Sequence, residues 1–403
     1  MTLWWIIYKS LRQHAFSTLL TAFSIALAGG LLMSVWAVRE QSHAAFTGMS
    51  GGFDAVLGAR SAKLQLVLNA IFHLEESPGN LAWPDYLEIQ ANPNVALAVP
   101  IAMGDNYRGY RLVGTTTNFF TKAEYAPGKR CTPRAPGRIF DPAAREAVVG
   151  SLVAQKLGLK RGDVIHPFHG LQFDEEKEHS ETYLIVGVLE PTNTPADRVI
   201  WIPLEGLQKM SGHDPQAASD VSAVLIQLKA GSAVAGQRLS LFYNKEGNRL
   251  TFAWPIGQIM AQLFGKIAWF DRVLELVAYL VALVATGSIL ASIYNSMNER
   301  RREIAILRAL GAHRRTVFSS IILEAATIAA LGMVIGFAFY SAIMTAVASV
   351  VRAQTGIVLD PLAFHAIMIW APLGLIGLSA LSGIVPAVKA YRTDVAENLA
   401  PIS

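Results

Sequence analysis

Histidine and glutamate side chains are concentrated between residues 166 and 179, where their chemistry suits a metal ion. The histidines are His166, His169 and His179, and Glu175, Glu176 and Glu178 lie between the last two. Imidazole nitrogens and carboxylate oxygens both bind Zn²⁺ and similar ions. The spacing is loose, however, and matches no compact ligand signature. We therefore predict a solvated, charged hairpin tip without a bound metal, and we keep metal-related transport as an alternative.

The sequence lacks the common motifs of nucleotide binding and catalysis. It contains no G-x-x-x-x-G-K-[ST] loop for nucleotide phosphates, no G-x-S-x-G nucleophile turn and no H-E-x-x-H pair. We therefore expect the chain to bind neither ATP nor another cofactor directly, and we expect that it is not an enzyme. An enzyme that is anchored in the membrane and faces outwards is the alternative.

A cluster of arginines lies between two long apolar runs, at residues 298–315. Its sequence is NERRREIAILRALGAHRR. Ile304, Leu307 and Gly311 recur at helical spacing, which predicts a short amphipathic helix. Its arginines would face water or lipid phosphate, and its narrow apolar stripe would be available to a partner. A segment this basic between two membrane spans is predicted to stay in the cytoplasm.

The central run of this segment, residues 299–312, resembles the loop between the second and third spans of FtsX/MacB/LolC-type ABC transporter permeases. In that family the loop docks on an ATP-binding subunit, so the resemblance implies the same contact here. The matching positions are Glu303, Ile304, Leu307, Arg308 and Leu310. Two simpler interpretations stay open, namely a topogenic loop without a partner and lipid-phosphate anchoring by Arg300–Arg302.

The composition is that of a membrane protein that also carries a sizeable polar domain. Apolar residues make up 52% of the chain and charged residues only 16%, against ~25% charged residues in a soluble domain. The formal net charge of +4 is small and does not indicate nucleic acid binding. Cys131 is the only cysteine, so the chain has no intrachain disulfide.

Four apolar runs predict four transmembrane helices. They are Phe16–Val38, Val273–Ile293, a span within Val317–Val350, and Phe364–Val388. The first run mimics a signal-peptide cleavage site at residues 26–28 but continues well past it, which favours an uncleaved anchor. Basic residues at the inner boundaries predict that both termini lie in the cytoplasm, and the resemblance implies the inner membrane of a bacterial cell.

These spans define three parts of the predicted fold. Residues 1–39 hold an N-terminal amphipathic segment and the first transmembrane helix, residues 40–270 form a large mixed α/β extracytoplasmic (periplasmic) domain, and residues 271–403 hold the other three helices with the cytoplasmic coupling helix 298–315. Within the middle part, Val149–Asp163, Ile185–Leu189 and Thr194–Arg198 resemble the extracytoplasmic core of the same permeases.

Two features inside the third span are candidates for helix packing or charge pairing. Gly332 and Gly336 form a Gly-x-x-x-Gly pattern, which indicates close helix approach within one subunit or between two copies, or glycines tolerated without a packing role. Glu324 is an acid near the start of the span. We expect it to pair with Arg314 or Arg315, or to reach the interface.

The resemblance implies the permease subunit of an ABC transporter. A separate subunit would hydrolyse ATP, and the extracytoplasmic domain would move to export or release a lipid, lipoprotein, peptide or drug-like substrate. In that family two permeases pair with two ATP-binding subunits, so the implied partners are the ATPase, a second copy, the lipid bilayer and a periplasmic adaptor or lipoprotein. The alternative is a transmembrane signalling protein that controls an outer enzyme, as in the FtsX branch.

Overall fold

The chain forms two compact units. The computed structural model describes residues 3–170, 173–213, 219–231, 233–299, 306 and 311–392. The helical unit comprises Met1–Gln41, Ile267–Ala348 and Asp360–Ser403, and the sheet unit comprises Ser42–Lys266 and Ser349–Leu359.

Helices and strands alternate in the middle of the chain, and long helices flank them. The helices are α1 (Leu3–Gln13), α2 (Ala15–Gly48), α3 (Lys63–Ala70), α4 (Trp83–Gln90), α5 (Asn118–Thr121), α6 (Ser151–Leu157), α7 (Leu204–Gln208), α8 (Ala233–Leu241), α9 (Ile256–Glu299), α10 (Arg314–Thr355), α11 (Ile367–Ser382) and α12 (Ile384–Arg392). The strands are β1 (Ala55–Ala59), β2 (Val95–Tyr107), β3 (Tyr110–Thr115), β4 (Glu146–Val149), β5 (Val164–Ile165), β6 (Phe168–His169), β7 (Tyr183–Val188), β8 (Ile200–Pro203), β9 (Ala223–Leu228) and β10 (Leu250–Ala253).

Four helical stretches among the described residues are long and apolar enough to cross a membrane. They are Ala15–Gly48, Ile256–Asn295, Arg314–Thr355 and Ile367–Lys389. This confirms the predicted architecture of four transmembrane helices and a large mixed α/β domain, which follows the first of them in the chain. The chain is therefore a multi-pass membrane protein.

Large apolar side chains cover much of the surface of the helical unit. Leu283, Val284, Val334 and Trp370 are each exposed over more than half of their surface. A soluble protein rarely leaves such contiguous apolar area in water. Lipid hydrocarbon removes this cost, so the exposed side chains match the length and apolar character of the helices.

Gly332 and Gly336 lie where α10 packs against α2. A Cβ atom added to Gly332 would be 2.7 Å from the carbonyl oxygen of Ala22, and one added to Gly336 would be 3.2 Å from that of Ala26. The two backbones therefore approach closely at these positions, which is how small residues allow helices to pack in lipid. This contact lies within one subunit.

In the described part of the sheet unit, ten strands form one mixed sheet. Its order is β10-β1-β9-β2-β3-β8-β4-β7-β5, and β6 pairs with β2 beside this path. The pairs β3–β8 and β4–β7 are parallel, and the other pairs are antiparallel. The sheet interior is closed by apolar residues from most strands and from α4, α6 and α7.

Two strands of this sheet have no clear strand pattern in their own sequence. The first is β1, which follows a glycine-rich stretch and is buried from Ala55 to Gly58. The second is β10, which pairs with β1 in antiparallel register. Both are too short to show a clear alternation in sequence, and their partners are distant in the chain. Their strand conformation is therefore fixed by the sheet rather than by a local pattern.

Residues 349–359 belong to the sheet unit, although the sequence analysis limits the extracytoplasmic domain to residues 40–270. Arg198 Nε donates a hydrogen bond of 3.1 Å to the carbonyl oxygen of Ala353. A Cβ added to Gly356 would be 3.0 Å from the carbonyl oxygen of Thr194. The last turn of α10 is thus held by the loop before β8, a contact that no sequence pattern reveals.

His73 is a histidine that is buried in the sheet unit and whose imidazole ring is uncharged. Its ring packs edge-on against Trp201 with centroids 5.9 Å apart. Burial, and then the positive charges of Arg111 and Arg198, lower the pKa of His73 from 6.5 to about 3. The folded protein therefore keeps this imidazole neutral at pH values where an unfolded chain would protonate it.

Substituting Gly332 tests the close approach of α2 and α10. Alanine is a better helix former than glycine by ~1 kcal/mol, but at Gly332 its methyl group would overlap Ala22 and Ile25. We expect Gly332→Ala to destabilise the protein by about 1–3 kcal/mol, measured as a lower melting temperature in detergent. Gly374→Ala is the matched control, because no atom lies within 4 Å of its added Cβ. A melting temperature of Gly332→Ala at or above wild type would contradict the packing.

The pH dependence of stability tests the neutral His73. Because its folded pKa of about 3 is below the unfolded 6.5, its contribution is fully present above pH 6.5 and is lost as the pH falls towards 3. In this range the free energy of unfolding falls by up to ~1.4 kcal/mol for each unit by which the pH is lowered. We expect the melting temperature to fall less between pH 7 and pH 5 in His73→Asn than in wild type. Asparagine is a suitable replacement because it tolerates the positive φ of 55° at this position. If the melting temperatures of wild type and His73→Asn fell equally between pH 7 and pH 5, the neutral His73 would not contribute to the pH dependence.

Candidate functional site

Three histidines of the sheet unit converge on one aspartate. Asp105 Oδ1 lies 3.2 Å from His169 Nδ1, 3.2 Å from His179 Nε2 and 3.2 Å from His213 Nε2. The four ligand-type atoms all lie within 4.8 Å of one another. We call Asp105, His169, His179 and His213 the histidine–aspartate cluster.

A bulge in β2 positions the aspartate. The register between β2 and β3 shifts between Met103 and Asp105, and such an irregularity re-aims the side chains that follow it. Asp105 is paired directly with His169 of β6. The Gly170 N–H donates to the carbonyl oxygen of Gly104 at 2.9 Å, which holds the end of β6 beside the bulge.

Two loops bring in the other histidines. The His179 N–H donates to the carbonyl oxygen of Pro167 at 2.9 Å, and the His213 N–H donates to that of Met210 at 3.3 Å. The buried carboxylate of Glu181 accepts hydrogen bonds from the Ser211 N–H at 3.1 Å and from its hydroxyl at 2.7 Å. Glu181 therefore ties the turn that carries His213 to the segment that carries His179.

Backbone carbonyls fix the orientation of two imidazole rings. His179 Nδ1 is 2.7 Å from the carbonyl oxygen of Ser211, and His213 Nδ1 is 2.9 Å from that of Leu207. A carbonyl oxygen only accepts, so each Nδ1 carries a hydrogen. Each Nε2 is then left to face Asp105, as a lone pair in the neutral ring or as an N–H in the charged ring.

The aspartate is fully enclosed. Its side chain has no exposed surface, and its Oδ2 has no hydrogen-bond partner among the residues that the structure describes. Burial works to raise the pKa of Asp105, but hydrogen bonds from His179 and His213 outweigh it and lower that pKa to about 2. The same hydrogen bonds raise the pKa of His179 and of His213 against the effect of burial. The cluster therefore holds an ionised carboxylate that requires positive charge around it.

The structure brings together only two of the three predicted metal candidates. His169 and His179 are in the cluster, whereas His166 Nδ1 is 3.2 Å from Glu178 Oε1 and both of these side chains are about half exposed. His166 and Glu178 are solvated, as the sequence predicts, but His179 is buried. Sequence reasoning missed Asp105 and His213, because their positions carry no spacing signal relative to His169.

The residues predicted to contact an ATPase, Glu303, Ile304, Leu307, Arg308 and Leu310, lie outside the described residues. Beside them, Ile306 is helical and 43% exposed. Arg314 begins α10, and its guanidinium lies 5.5 Å from the ring centre of Tyr391. Glu324 accepts a hydrogen bond from the Ser10 hydroxyl, and its pairing with Arg314 or Arg315 stays a prediction.

Two parts of the chain match models of known protein families. Residues 18–236, more than half of the chain, match the MacB-like periplasmic core domain, and residues 275–395 match the FtsX-like permease C-terminal domain. No match was found among curated protein sequences.

Solved structures of two extracytoplasmic regions are similar to part of the chain. The periplasmic region of MacB from Actinobacillus actinomycetemcomitans is 12% identical with a TM-score of 0.36, and the alignment covers 54% of this chain and 94% of that one. The extracellular domain of the noncanonic ABC-type transporter YknZ from Gram-positive bacteria is 17% identical with a TM-score of 0.30, covering 49% of this chain and 97% of that one.

Proposed function

Because the chain belongs to the FtsX/MacB-type ABC permease family, we propose that it is the membrane-spanning subunit of an ABC transporter driven by a separate ATP-binding subunit. The observation that carries this proposal is the order of the two matched domains, with a periplasmic core domain followed by an FtsX-like permease domain. Proteins of this family generally work with an ABC ATP-binding partner. The permease itself supplies no catalytic group, and the partner uses the ATP.

The proposed mechanism is mechanical transmission along helices. α2, α9 and α10 each contribute residues to both the helical unit and the sheet unit. A hydrogen-bonded helix keeps its length, so a displacement at one end is carried to the other. Movement of the cytoplasmic segment 298–315 would therefore be passed through the membrane to the sheet unit, which would grip, export or release a substrate there.

Ion pairs strengthen two of these connections inside the helical unit. Arg39 of α2 lies 3.8 Å from Asp271 and 3.5 Å from Glu275 of α9. His365 Nδ1 lies 3.1 Å from Glu40 Oε2, so the same turn of α2 also contacts the segment before α11. These contacts support a common movement of the first, second and fourth spans at the end of α2 that leads into the sheet unit.

The proposed assembly is two permeases with two ATP-binding subunits in the bacterial inner membrane. Both termini and the segment 298–315 would lie in the cytoplasm, and the sheet unit would lie in the periplasm. Positive charge supports this orientation, since the segment 298–315 carries six arginines and two acids. An adaptor or lipoprotein in the periplasm is a further proposed partner.

Substitution within the apolar stripe tests the coupling contact. Leu307→Asp places a charge in the proposed interface and should reduce co-purification of the ATP-binding subunit at least ~10-fold, because an unpaired buried charge is costly. Ile304→Asp should act in the same way. Ala309→Asp is the matched control, since position 309 is about 200° around a helix from position 307. Unchanged recovery with Leu307→Asp, or equal loss with Ala309→Asp, would argue against docking through this stripe.

Cysteine labelling tests the orientation. The wild-type chain provides a low background, because Cys131 is buried and burial, with the charge of Asp197, raises its pKa to about 12. An impermeant maleimide added to intact spheroplasts should label Lys156→Cys, whose site is exposed in the sheet unit. It should label Arg301→Cys only after permeabilisation. Labelling of both positions from the same side would overturn the proposed topology.

A further inference from the structure

The histidine–aspartate cluster contains an electrostatic conflict that a cation would resolve. The Nδ1 atoms of His179 and His213 carry hydrogens that point to backbone carbonyls. In neutral rings the two Nε2 lone pairs then face Asp105 Oδ1 at 3.2 Å, so acceptors face an acceptor. One positive ion placed among these atoms would accept all the lone pairs.

The geometry of the three rings suits a single shared ion. Their centroids lie only 5.2 to 5.5 Å apart, and each ring places one nitrogen 3.2 Å from the same carboxylate oxygen of Asp105. A single divalent ion lets all three imidazoles stay neutral, and it supplies positive charge directly to the buried carboxylate.

The distances fit a tetrahedral metal centre. Zn²⁺ binds imidazole nitrogen and carboxylate oxygen at about 2.0–2.2 Å, so neighbouring ligand atoms at the corners of a tetrahedron lie ~3.3 Å apart. In the cluster each of the three histidine nitrogens is 3.2 Å from Asp105 Oδ1. The remaining separations are all within 4.8 Å, so the four atoms already surround one position that an ion can occupy.

The surroundings of the cluster also suit a metal site. A metal-binding histidine usually donates its second ring N–H to a carbonyl or carboxylate, which fixes the ring and its tautomer. Ser211 and Leu207 provide these carbonyls for His179 and His213. The unpartnered Oδ2 of Asp105 is a second oxygen at the same position. The His169 side chain is 53% exposed and provides the path by which an ion enters.

We propose that Asp105, His169, His179 and His213 bind one Zn²⁺-class divalent ion in the sheet unit. Three imidazoles and one carboxylate suit zinc and neighbouring transition metals rather than Mg²⁺ or Ca²⁺, which prefer oxygen ligands. Four protein ligands fill a tetrahedral shell, so the ion holds structure or reports metal concentration instead of activating water. It fastens β2, β6 and the turn after α7 to one another.

This site goes beyond the proposed transport function and does not depend on it. It links the state of the sheet unit to the metal content of the compartment that the unit faces. Residues 105, 169, 179 and 213 come from separate segments, so bound metal would stiffen the part of the sheet unit around the β2 bulge. A permease with this device would respond to zinc through the shape of its sheet unit.

Metal titration of the purified full-length protein in detergent tests the site. The protein should carry no histidine tag, and it should be freed of metal with a chelator that is then dialysed away. We expect calorimetry with ZnCl₂ to give one ion per chain, and the melting temperature to rise by about 5 to 10 °C at a hundredfold excess over the Kd. MgCl₂ and CaCl₂ at the same concentrations should give no rise.

Two ligand variants and one matched control identify the residues. His169→Gln and His213→Gln should each weaken zinc binding at least ~100-fold, whereas His166→Gln should bind like wild type, because His166 contacts Glu178 outside the cluster. His169 is half exposed, so His169→Gln should melt at the temperature of the metal-free wild type and lose only the rise caused by zinc. This separates loss of a ligand from failure to fold.

Co²⁺ gives an independent signature. Added in place of zinc, it should produce the intense visible absorption of a tetrahedral centre in wild type and in His166→Gln, and not in His169→Gln. The proposal is overturned by any of three results: no stoichiometric zinc binding in wild type, undiminished binding in both ligand variants, or loss of binding in His166→Gln.

Discussion

The structure depends on one constraint, which is that hydrocarbon offers no hydrogen-bond partner to a peptide group. Backbone inside the membrane must satisfy its own N–H and C=O groups, so the four apolar stretches are helical, with one break at Gly383 between α11 and α12. Lipid does not drive helices together by the hydrophobic effect, and close packing has to do this instead. Gly332 and Gly336 meet that need, because they let the backbone of α10 reach the backbone of α2.

Because of the same constraint, the strands and the polar side-chain clusters of the chain lie in the segment between the first two spans. There the backbone N–H and C=O groups of the ten described strands hydrogen-bond to neighbouring strands, and water is available to such groups at the edges of the sheet. The helices of the first three spans also supply residues to the sheet unit.

Desolvation also governs the sheet unit, where it acts on single side chains. His73 is buried without a counter-charge and stays neutral, with its pKa lowered to about 3. Asp105 is buried with three imidazoles around it and stays ionised. The difference lies in the neighbours, since the positive charges of Arg111 and Arg198 act on His73, whereas imidazole nitrogens surround Asp105. Backbone carbonyls orient two of the histidine rings in the histidine–aspartate cluster, and Glu181 fixes the turn that carries His213.

The sequence by itself determined the four spans, the mixed α/β class and the family, because hydropathy, helical spacing and the run 299–312 are local signals. It also indicated His169 and His179 by residue type. Only the tertiary structure joined them to Asp105 and His213 and excluded His166. That choice depends on the β2 bulge, on the pairing of β6 with β2 and on the path of the loop after α7. Contacts between residues so far apart in the chain follow from strand order, which no local pattern encodes.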